Sequence, residues 1–227
     1  MSVDPLSDAK IVDSWRRNAA PWTAAVRERQ IESRRLVTDQ AIIEATLSRS
    51  PRSVLDLGCG EGWLARALAV NGIRVIGIDA IPTLIEQARQ AGGGDFRVMT
   101  YEDVVAGKLS EPVDLVVCNF SLLGNESVAG LFRIFHTLLN PRGSLLVQTL
   151  HPRAACGDHP CQDGWRAGSW EGFNADFDDP APWYFRTLES WIRLFAEHGF
   201  QRLELREPRH PQTRQPASVI FMAQAAD

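Results

Sequence analysis

The sequence predicts an α/β fold with a doubly wound, mostly parallel sheet. Between residues 52 and 150, short apolar runs alternate with helical stretches, which is typical of strands joined by helical crossovers. The apolar runs at 113–118 and 144–147 are nearly continuous in hydrophobic residues, as expected for strands that helices cover on both faces. Another run, at 54–57, leads directly into three closely spaced glycines, which favour a tight turn at the edge of the sheet.

The elements follow from this alternation. Strands are expected at 52–57, 73–78, 95–99, 113–119 and 143–150, and helices at 61–70, 82–90, 101–106 and 127–139. Later in the chain, a helix is expected at 187–198 and strands at 200–206 and 217–223. With 227 residues and 44 % hydrophobic content, the chain is long enough for one sizeable core. We therefore expect a single domain over residues 1–227.

Two segments lie outside this alternation and are predicted to form a cap. Residues 7–48 have an apolar face among many charges, so 1–48 should be a helical cap. Residues 151–186, inserted after the fifth strand, hold four prolines and seven of the chain's nineteen aromatic residues. A solvated linker would not need these rings, so we expect them to pack.

The most informative motif is the turn with glycines at positions 58, 60 and 62. Glycine lets the backbone turn sharply and lets a ligand approach the main chain closely. Asp79 ends the second apolar run, nineteen residues after Gly60, where a carboxylate can accept hydrogen bonds from both hydroxyls of a ribose. Together they predict an adenosine-containing ligand over the carboxyl edge of the sheet.

The glycine spacing indicates which ligand this is. A dinucleotide-binding turn has the spacing G-x-G-x-x-G, whereas here the third glycine comes one residue early and Asp56 precedes the turn by two residues. With Asp79, this pattern resembles motif I of the class I S-adenosylmethionine-dependent methyltransferases. The resemblance covers roughly residues 50–150 and is to the small-molecule branch, which includes quinone-biosynthesis-type enzymes. It implies a seven-stranded, Rossmann-like sheet with an antiparallel last strand, S-adenosylmethionine as the cofactor and S-adenosylhomocysteine as the product.

The resemblance also implies that four loops at the carboxyl edge of the sheet bind the cofactor. Their candidate residues are Asp56, Gly58, Cys59, Gly60, Asp79, Ala80, Tyr101, Glu102, Asn119 and Phe120. The first loop would hold the methionine part, the second the ribose and the third the adenine. The fourth loop would face the sulfonium and its methyl group. Asp56 would meet the ammonium group or bond within its own loop, and Glu102 would read the adenine or favourably charge a helix N-terminus. An arginine of the N-terminal region (29, 34 or 35) would pair with the cofactor carboxylate or belong to a solvated helix face.

His151 and the tryptophans of the cap are the candidates on the acceptor side. His151 directly follows the fifth strand and has a side chain that titrates near neutrality, so it is a candidate base; the alternative is a histidine that only shapes the pocket. The residues expected to enclose a small, partly apolar acceptor, or else to form a satellite core, are Trp15, Trp165, Trp170 and Trp183. In the resembled family, enzymes that methylate nucleobase amino groups often carry Asn/Asp-Pro-Pro-aromatic in the fourth loop. The absence of prolines at 120 and 121 therefore argues against that class of acceptor.

Composition limits the partners and the compartment. A net charge of −4 without a basic patch does not indicate a nucleic acid or an anionic membrane as partner. Residues 1–10 lack the apolar run of a signal peptide, and the four cysteines form no disulfide framework, which favours a reducing cytoplasm. Cys156, His159 and Cys161 fit no familiar zinc spacing, so we expect an ordinary loop and no metal there. The assembly is expected to be a monomer or a homodimer.

Two other classes of function remain alternatives. A nicotinamide-dependent oxidoreductase would use a similar sheet but would need the third glycine one residue later. A regulatory module that binds S-adenosylmethionine without turnover would carry the same binding loops, so the sequence separates it poorly from an enzyme.

Overall fold

The computed structural model describes residues 4–157 and 160–226 and contains the expected seven-stranded sheet. Its strands are β1 Ser53–Leu57, β2 Arg74–Asp79, β3 Asp95–Val98, β4 Val113–Asn119, β5 Leu139–Thr149, β8 Phe200–Arg206 and β9 Val219–Ala225, while β6 Gly164–Arg166 and β7 Trp183–Phe185 form a separate ribbon. The order is β3-β2-β1-β4-β5-β9-β8, and β9 alone runs antiparallel to the other six strands. The doubly wound, Rossmann-like sheet with an antiparallel last strand is therefore confirmed.

Helices cover both faces of the sheet. They are α1 Asp8–Arg27, α2 Asp39–Leu47, α3 Trp63–Ala69, α4 Pro82–Ala91, α5 Tyr101–Val105, α6 Glu126–Ile134, α7 Pro152–Ala155 and α8 Leu188–Glu197. A π-helical turn, Arg34–Thr38, leads into α2, and a 3₁₀ turn, Phe135–Leu138, follows α6. One buried cluster lies between the sheet and α2, α3 and α4, and the other lies between the sheet and α5, α6 and α8. The carboxyl edge of the sheet is thus the open side.

The N-terminal region differs from the continuous helical stretch that its charge pattern suggests. Helix α1 ends at Arg27, and Arg29 has a φ of 56°, which an α-helix does not accommodate. The chain resumes as the π-helical turn at Arg34. The apolar periodicity finds both helical parts but not the reversal between them, because no glycine or proline marks it.

The inserted segment has more regular structure than its prolines suggest. Trp183–Phe185 pairs antiparallel with Gly164–Arg166, and the insertion is bonded to α1. Asn18 of α1 donates to the carbonyl oxygen of Asp178 at 2.7 Å and accepts from its amide nitrogen at 3.0 Å. Ser14 donates to the carbonyl oxygen of Asp179 at 2.5 Å. Helix α1 and the insertion therefore hold each other in place.

The cysteines differ in part from expectation. The structure has one disulfide, between Cys156 and Cys161, whereas Cys59 and Cys118 are free and buried. Such a bond joins residues only five positions apart, so it closes a local loop and does not connect distant elements. His159, which completed the candidate metal cluster, lies outside the described residues. No helix among residues 4–157 and 160–226 has the length and apolar character needed to cross a membrane.

Candidate ligand-binding site

A cavity of about 460 Å³ lies at the carboxyl edge of the sheet, beneath α1 and the insertion. It brings together most of the residues that the sequence singled out. Those that line it are Trp15, Gly58, Cys59, Gly60, Asp79, Ala80, Tyr101, Glu102, Asn119, Phe120, Trp170 and Trp183. Of the other predicted site residues, Asp56, His151 and Trp165 are not among the described residues that line the cavity.

The glycine turn fixes the floor of the cavity. Gly58 and Gly60 have φ values of 77° and 57°, a region that side chains with a Cβ avoid. A Cβ at Gly58 would overlap the side chain of Ser121 and lie 2.9 Å from the hydroxyl of Tyr101. Ser121 itself donates to the carbonyl oxygen of Leu57 at 2.5 Å. The turn is therefore packed directly against the loop that follows β4, and neither can move alone.

A buried carboxylate braces the same turn from below. The side chain of Glu61 is fully buried and accepts hydrogen bonds from Arg66 at 2.7 Å and from Arg27 at 3.1 Å. Arg66 also donates to the Glu61 carbonyl oxygen. Because Arg27 ends α1 and Arg66 lies in α3, Glu61 connects the N-terminal helix of the cap to the helix that follows the turn.

Asp79 supports the turn and still faces the cavity. Its carboxylate accepts hydrogen bonds from the amide of Gly60 at 3.0 Å and from that of Ile81 at 2.9 Å. Burial raises the pKa of Asp79 to about 6, while these backbone bonds act in the opposite direction. Each carboxylate oxygen has a further lone pair, so the side chain can accept two more hydrogen bonds from a ligand.

Asp56 is more deeply buried, with 2 % of its surface exposed. Burial, and to a lesser degree the nearby charge of Asp79, raises the pKa of Asp56 to about 7. No described residue donates a hydrogen bond to its side chain, so the loop-internal bond that was one alternative for Asp56 is absent from residues 4–157 and 160–226.

The loop after β3 carries two acidic residues, Glu102 and Asp103. Thr100 and Asp103 form a reciprocal capping box at the start of α5, each side chain bonding to the other residue's amide at 3.2 Å. Glu102 lies in the first turn of α5 and is exposed on the cavity wall, so both roles expected for it stay predictions. Tyr101 donates to the carbonyl oxygen of Ser121 at 3.2 Å. Burial raises the pKa of Tyr101 well above its usual range, so its hydroxyl remains a donor.

The loop after β4 is strained. Phe120 has a φ of 53°, unusual for a residue with a Cβ, and its amide donates to the carbonyl oxygen of Gln148 at 2.8 Å. The buried Oδ1 of Asn119 accepts no hydrogen bond from the described part of the chain. A buried acceptor without a donor costs free energy, so this atom is a point where a ligand can donate.

Two residues of the cavity wall carry buried donors that have no acceptor in the described part of the chain. These donors are Nη2 of Arg34 and Oγ1 of Thr38, at either end of the π-helical turn. The Nε of Arg34 is bonded to Asp39 at 2.9 Å, and the guanidinium lies 4.7 Å from the ring centre of Trp63. Such π-helical turns frequently occur at functional sites. Two fixed donors, one of them cationic, suit the carboxylate of a ligand.

Aromatic rings cover the cavity. Trp15 packs edge-on against Trp22, with ring centres 5.0 Å apart, and against Trp170 at 5.8 Å. Trp170 in turn contacts Phe177, which is buried. Trp165 packs edge-on against Tyr184 in the β6–β7 ribbon. The rings that face the cavity therefore also pack against one another, as a satellite core would, and their role in enclosing an acceptor stays a prediction.

His151 follows β5, but its ring is only 2 % exposed. Its Nε2 lies 3.0 Å from a carboxylate oxygen of Glu207, and this bond keeps the pKa of Glu207 below its usual range. An ionised carboxylate only accepts, so Nε2 carries the proton and Nδ1 has the lone pair in the neutral ring. Nδ1 is buried and has no partner among the described residues. Leu150 and Pro152, on either side, both line the cavity.

Several cavity residues were not predicted from the sequence, among them the charged residues Asp8 and Arg186. Asp8 accepts hydrogen bonds from the amides of Asn125 and Ser127 at 2.8 and 2.6 Å, and so attaches α1 to the N-terminus of α6. Arg186 is buried on the wall beside the loop that follows β4. In the sequence, Arg186 is marked only by its position directly after three aromatic residues, 183–185. That pattern is too weak to assign a role.

Comparison with known sequences identifies relatives. A family model described as "Methyltransferase domain" matches residues 27–205. A ubiquinone biosynthesis O-methyltransferase of Xylella fastidiosa (strain M23) is 37 % identical over 114 residues, which is 48 % of this chain and 46 % of the relative. The corresponding protein of Pseudomonas syringae is 31 % identical over 114 residues, covering 48 % and 49 %. The chain spans about half the length of the curated relatives it matches.

Solved structures share the fold. An S-adenosylmethionine-dependent methyltransferase from Mesorhizobium loti has a TM-score of 0.61 at 23 % identity, covering 81 % of this chain and 96 % of that one. A 1,6-didemethyltoxoflavin-N1-methyltransferase from Burkholderia thailandensis, solved with 1,6-didemethyltoxoflavin and S-adenosylhomocysteine, has a TM-score of 0.67 at 16 % identity, covering 100 % and 94 %. At these identities the likeness concerns the fold alone.

Proposed function

The chain belongs to the methyltransferase-domain family, and we propose that it transfers the methyl group of S-adenosylmethionine to an oxygen or nitrogen atom of a small molecule. The observation that carries this proposal is the set of unpartnered buried atoms on the cavity wall. Arg34 and Thr38 offer donors, and Asn119 offers an acceptor. Together they complement a carboxylate and an ammonium group, the two charged groups of the methionine part of the cofactor.

The remaining cofactor contacts follow from the four loops. Gly58, Cys59 and Gly60 would offer backbone groups to the methionine part, and Asp56, behind them, would balance the ammonium charge. Asp79 and Ala80 would bind the ribose, and Tyr101 and Glu102 would flank the adenine. Phe120 and the backbone of Asn119 would face the sulfonium, while the side chain of Asn119 would accept from the ammonium group. When bound, S-adenosylmethionine supplies an electrophilic methyl group to an acceptor held in line with it.

We propose that the protein's contribution to the reaction is mainly positioning. Methyl transfer from a sulfonium is a displacement that proximity can largely drive. Trp15, Trp170 and Trp183 would hold a small, partly apolar acceptor and exclude water, with Trp165 supporting them from the ribbon. His151 is the proposed base, since Glu207 fixes its tautomer and Nδ1 has no partner among the described residues. Because its ring does not line the cavity, the neighbouring Leu150 and Pro152 would have to move for Nδ1 to reach the acceptor.

The proposal extends to the organisation of the chain. We propose a single domain over residues 1–227, with the N-terminal helices at 1–48 and the insertion at 151–186 as its cap. The net charge of −4 supports a small molecule over a nucleic acid or a membrane as partner. We propose a cytoplasmic monomer or homodimer; there, the Cys156–Cys161 pair would meet a reducing thiol pool.

The test is a transfer assay with methyl-labelled S-adenosylmethionine and a panel of phenols, catechols, amines and heteroaromatic amines. We expect label in a small-molecule product. In the variant His151→Gln, turnover should fall about 100-fold and the acidic limb of the pH–rate profile should disappear. The control is His210→Gln, at a half-buried histidine that is not among the described lining residues. If S-adenosylhomocysteine binds but no acceptor is labelled, the regulatory alternative replaces this proposal; an unchanged pH profile in His151→Gln would remove the base.

A further inference from the structure

Arg186 is a buried cation on the wall of the cavity. Only 7 % of its surface is exposed, and it directly follows β7 in the insertion. Its guanidinium donates to the carbonyl oxygen of Gly124 at 2.9 Å and to two oxygens of Asn125 at 3.3 Å. Burial lowers the pKa of Arg186 to about 10, so the group is charged at neutral pH. The protein therefore holds a full positive charge against the loop that follows β4.

No carboxylate neutralises this charge by direct contact within the described residues. Asp8 and Asp163 are close enough to attract it, but neither lies within the 4 Å of an ion pair. Both carboxylates are engaged with backbone amides, Asp8 with those of Asn125 and Ser127 and Asp163 with that of Thr187. Burying an unpaired cation is costly. An anionic ligand group would offset that cost.

The guanidinium of Arg186 also has unused donors, and two aromatic rings lie next to it. It has five N–H groups, of which the described carbonyl and amide oxygens occupy three. Tyr184 and Trp191 lie 4.7 and 5.3 Å from it, ring centre to guanidinium carbon, and both rings line the cavity. This stacking fixes the plane of the guanidinium, which favours a two-point contact with a planar anion.

Arg186 is separate from the residues proposed for the cofactor. The cofactor carboxylate has its own partner in Arg34, which packs on Trp63 beside the glycine turn. Arg186 instead contacts Gly124 and Asn125, beyond the strained Phe120. The backbone amide of Tyr184 donates to the Leu123 carbonyl oxygen at 2.8 Å, so the insertion brings the second cation to the end of this loop.

We propose that Arg186 binds an anionic group of the methyl acceptor, and that the acceptor class is small aromatic acids. This inference rests on the proposed function and deepens it. The carboxylate would pair with the guanidinium, and the aromatic ring would lie among Trp15, Trp170 and Trp183. Specificity then comes from charge, because a neutral analogue would leave the buried cation unpaired.

The test compares aromatic carboxylates with their own methyl esters. Benzoate, hydroxybenzoates, dihydroxybenzoates and indole-3-acetate, each beside its ester, are titrated calorimetrically into protein saturated with S-adenosylhomocysteine. We expect at least one acid to bind ten-fold or more tightly than its ester. In Arg186→Gln this preference should vanish, and in Arg186→Lys it should be partly kept. The control is Arg166→Gln, because Arg166 also donates to backbone carbonyl oxygens in the insertion but is not among the described lining residues.

The outcomes separate this inference from the proposed function. Absence of any acid preference, or a preference that persists in Arg186→Gln, overturns the role of Arg186. Equal loss of acid and ester binding in Arg186→Gln, with S-adenosylhomocysteine still bound, assigns Arg186 to holding the loop and also overturns it. Failure of the wild-type protein to bind S-adenosylhomocysteine contradicts the proposed function itself.

Discussion

The two aspartates of the glycine turn show how a ligand site is built at a cost in stability. Asp79 keeps two backbone bonds while facing the cavity, whereas Asp56 lies behind the turn without a hydrogen bond from the described residues. The pKa of each is raised because burial disfavours the charged form. Folding therefore strengthens proton binding at both carboxyls, which makes the folded state less stable as they ionise.

Replacing Asp56 by Asn should stabilise the protein in a pH-dependent way. A folded pKa of about 7 against 3.8 means that the wild-type side chain favours folding below about pH 4 and loses that contribution as the pH rises through 7. The difference corresponds to at most about 4 kcal/mol. We expect Asp56→Asn to raise the free energy of unfolding clearly at pH 8 and little at pH 4, as measured by urea denaturation.

Asp114 supplies a control of opposite sign. Its carboxylate accepts hydrogen bonds from the amide of Arg52 and from the side chain of Asn140, which hold its pKa below the usual range. Asp114→Asn should therefore destabilise the protein at pH 8 and do so less at pH 4. Equal effects of Asp56→Asn at both pH values would mean that the Asp56 carboxyl is not titrating as described.

Individual site residues were predictable to different degrees. Residues that end or directly follow a strand, such as Gly58, Asp79 and Asn119, could be placed because parallel strands end at one edge. Arg186 and Thr38 could not, because they reach the cavity only through the packing of the insertion and of the π-helical turn. Sequence distance carries no information about such contacts.

At the scale of elements, the glycine turn and the loop after β4 form one unit. Gly58 and Gly72 give a matched pair of tests, since their φ values are 77° and 76°. A Cβ would overlap Ser121 at Gly58 but would have nothing within 4 Å at Gly72. Both Ala variants carry the same backbone strain, about 1–2 kcal/mol. Only Gly58→Ala adds the steric overlap.

We therefore expect Gly72→Ala to lower stability slightly and to leave affinity for S-adenosylhomocysteine unchanged. Gly58→Ala should lower stability further and weaken binding at least ten-fold, because the loop that carries Asn119 and Phe120 must shift. Thermal unfolding and calorimetric titration measure the two quantities. Wild-type affinity in Gly58→Ala would show that the contact between turn and loop is irrelevant to the site.

The sheet was predictable element by element, and the connections around it were not. Periodicity placed every strand of the main sheet within a few residues. The central strands carry continuous apolar runs because both of their faces are buried, whereas the edge strands β3 and β8 are partly exposed. Periodicity missed the chain reversal at Arg29 and the ribbon of β6 and β7. In the ribbon each strand has three residues, too few for any period to be visible.

Considered as a whole, the molecule is a sheet whose open edge is covered by two segments that are far apart in sequence. Asn18 and Asp178 bond them to each other, and Glu61 and Asp8 connect α1 to the turn and to α6. The cavity lies between cap and sheet, and Arg34 and Arg186 are cations among its described lining residues. The proposed cofactor and acceptor would place an anionic group beside each of them.

The most direct test of the central claim is calorimetric titration of the purified protein with S-adenosylhomocysteine and, separately, with NAD. Our account predicts binding of S-adenosylhomocysteine alone. In Asp79→Ala the binding free energy should weaken by roughly 1–3 kcal/mol, the cost of unmaking buried polar contacts, while Asp95→Ala, at an exposed carboxylate, should leave it unchanged. Binding of NAD in place of S-adenosylhomocysteine, or unchanged affinity in Asp79→Ala, would contradict the account.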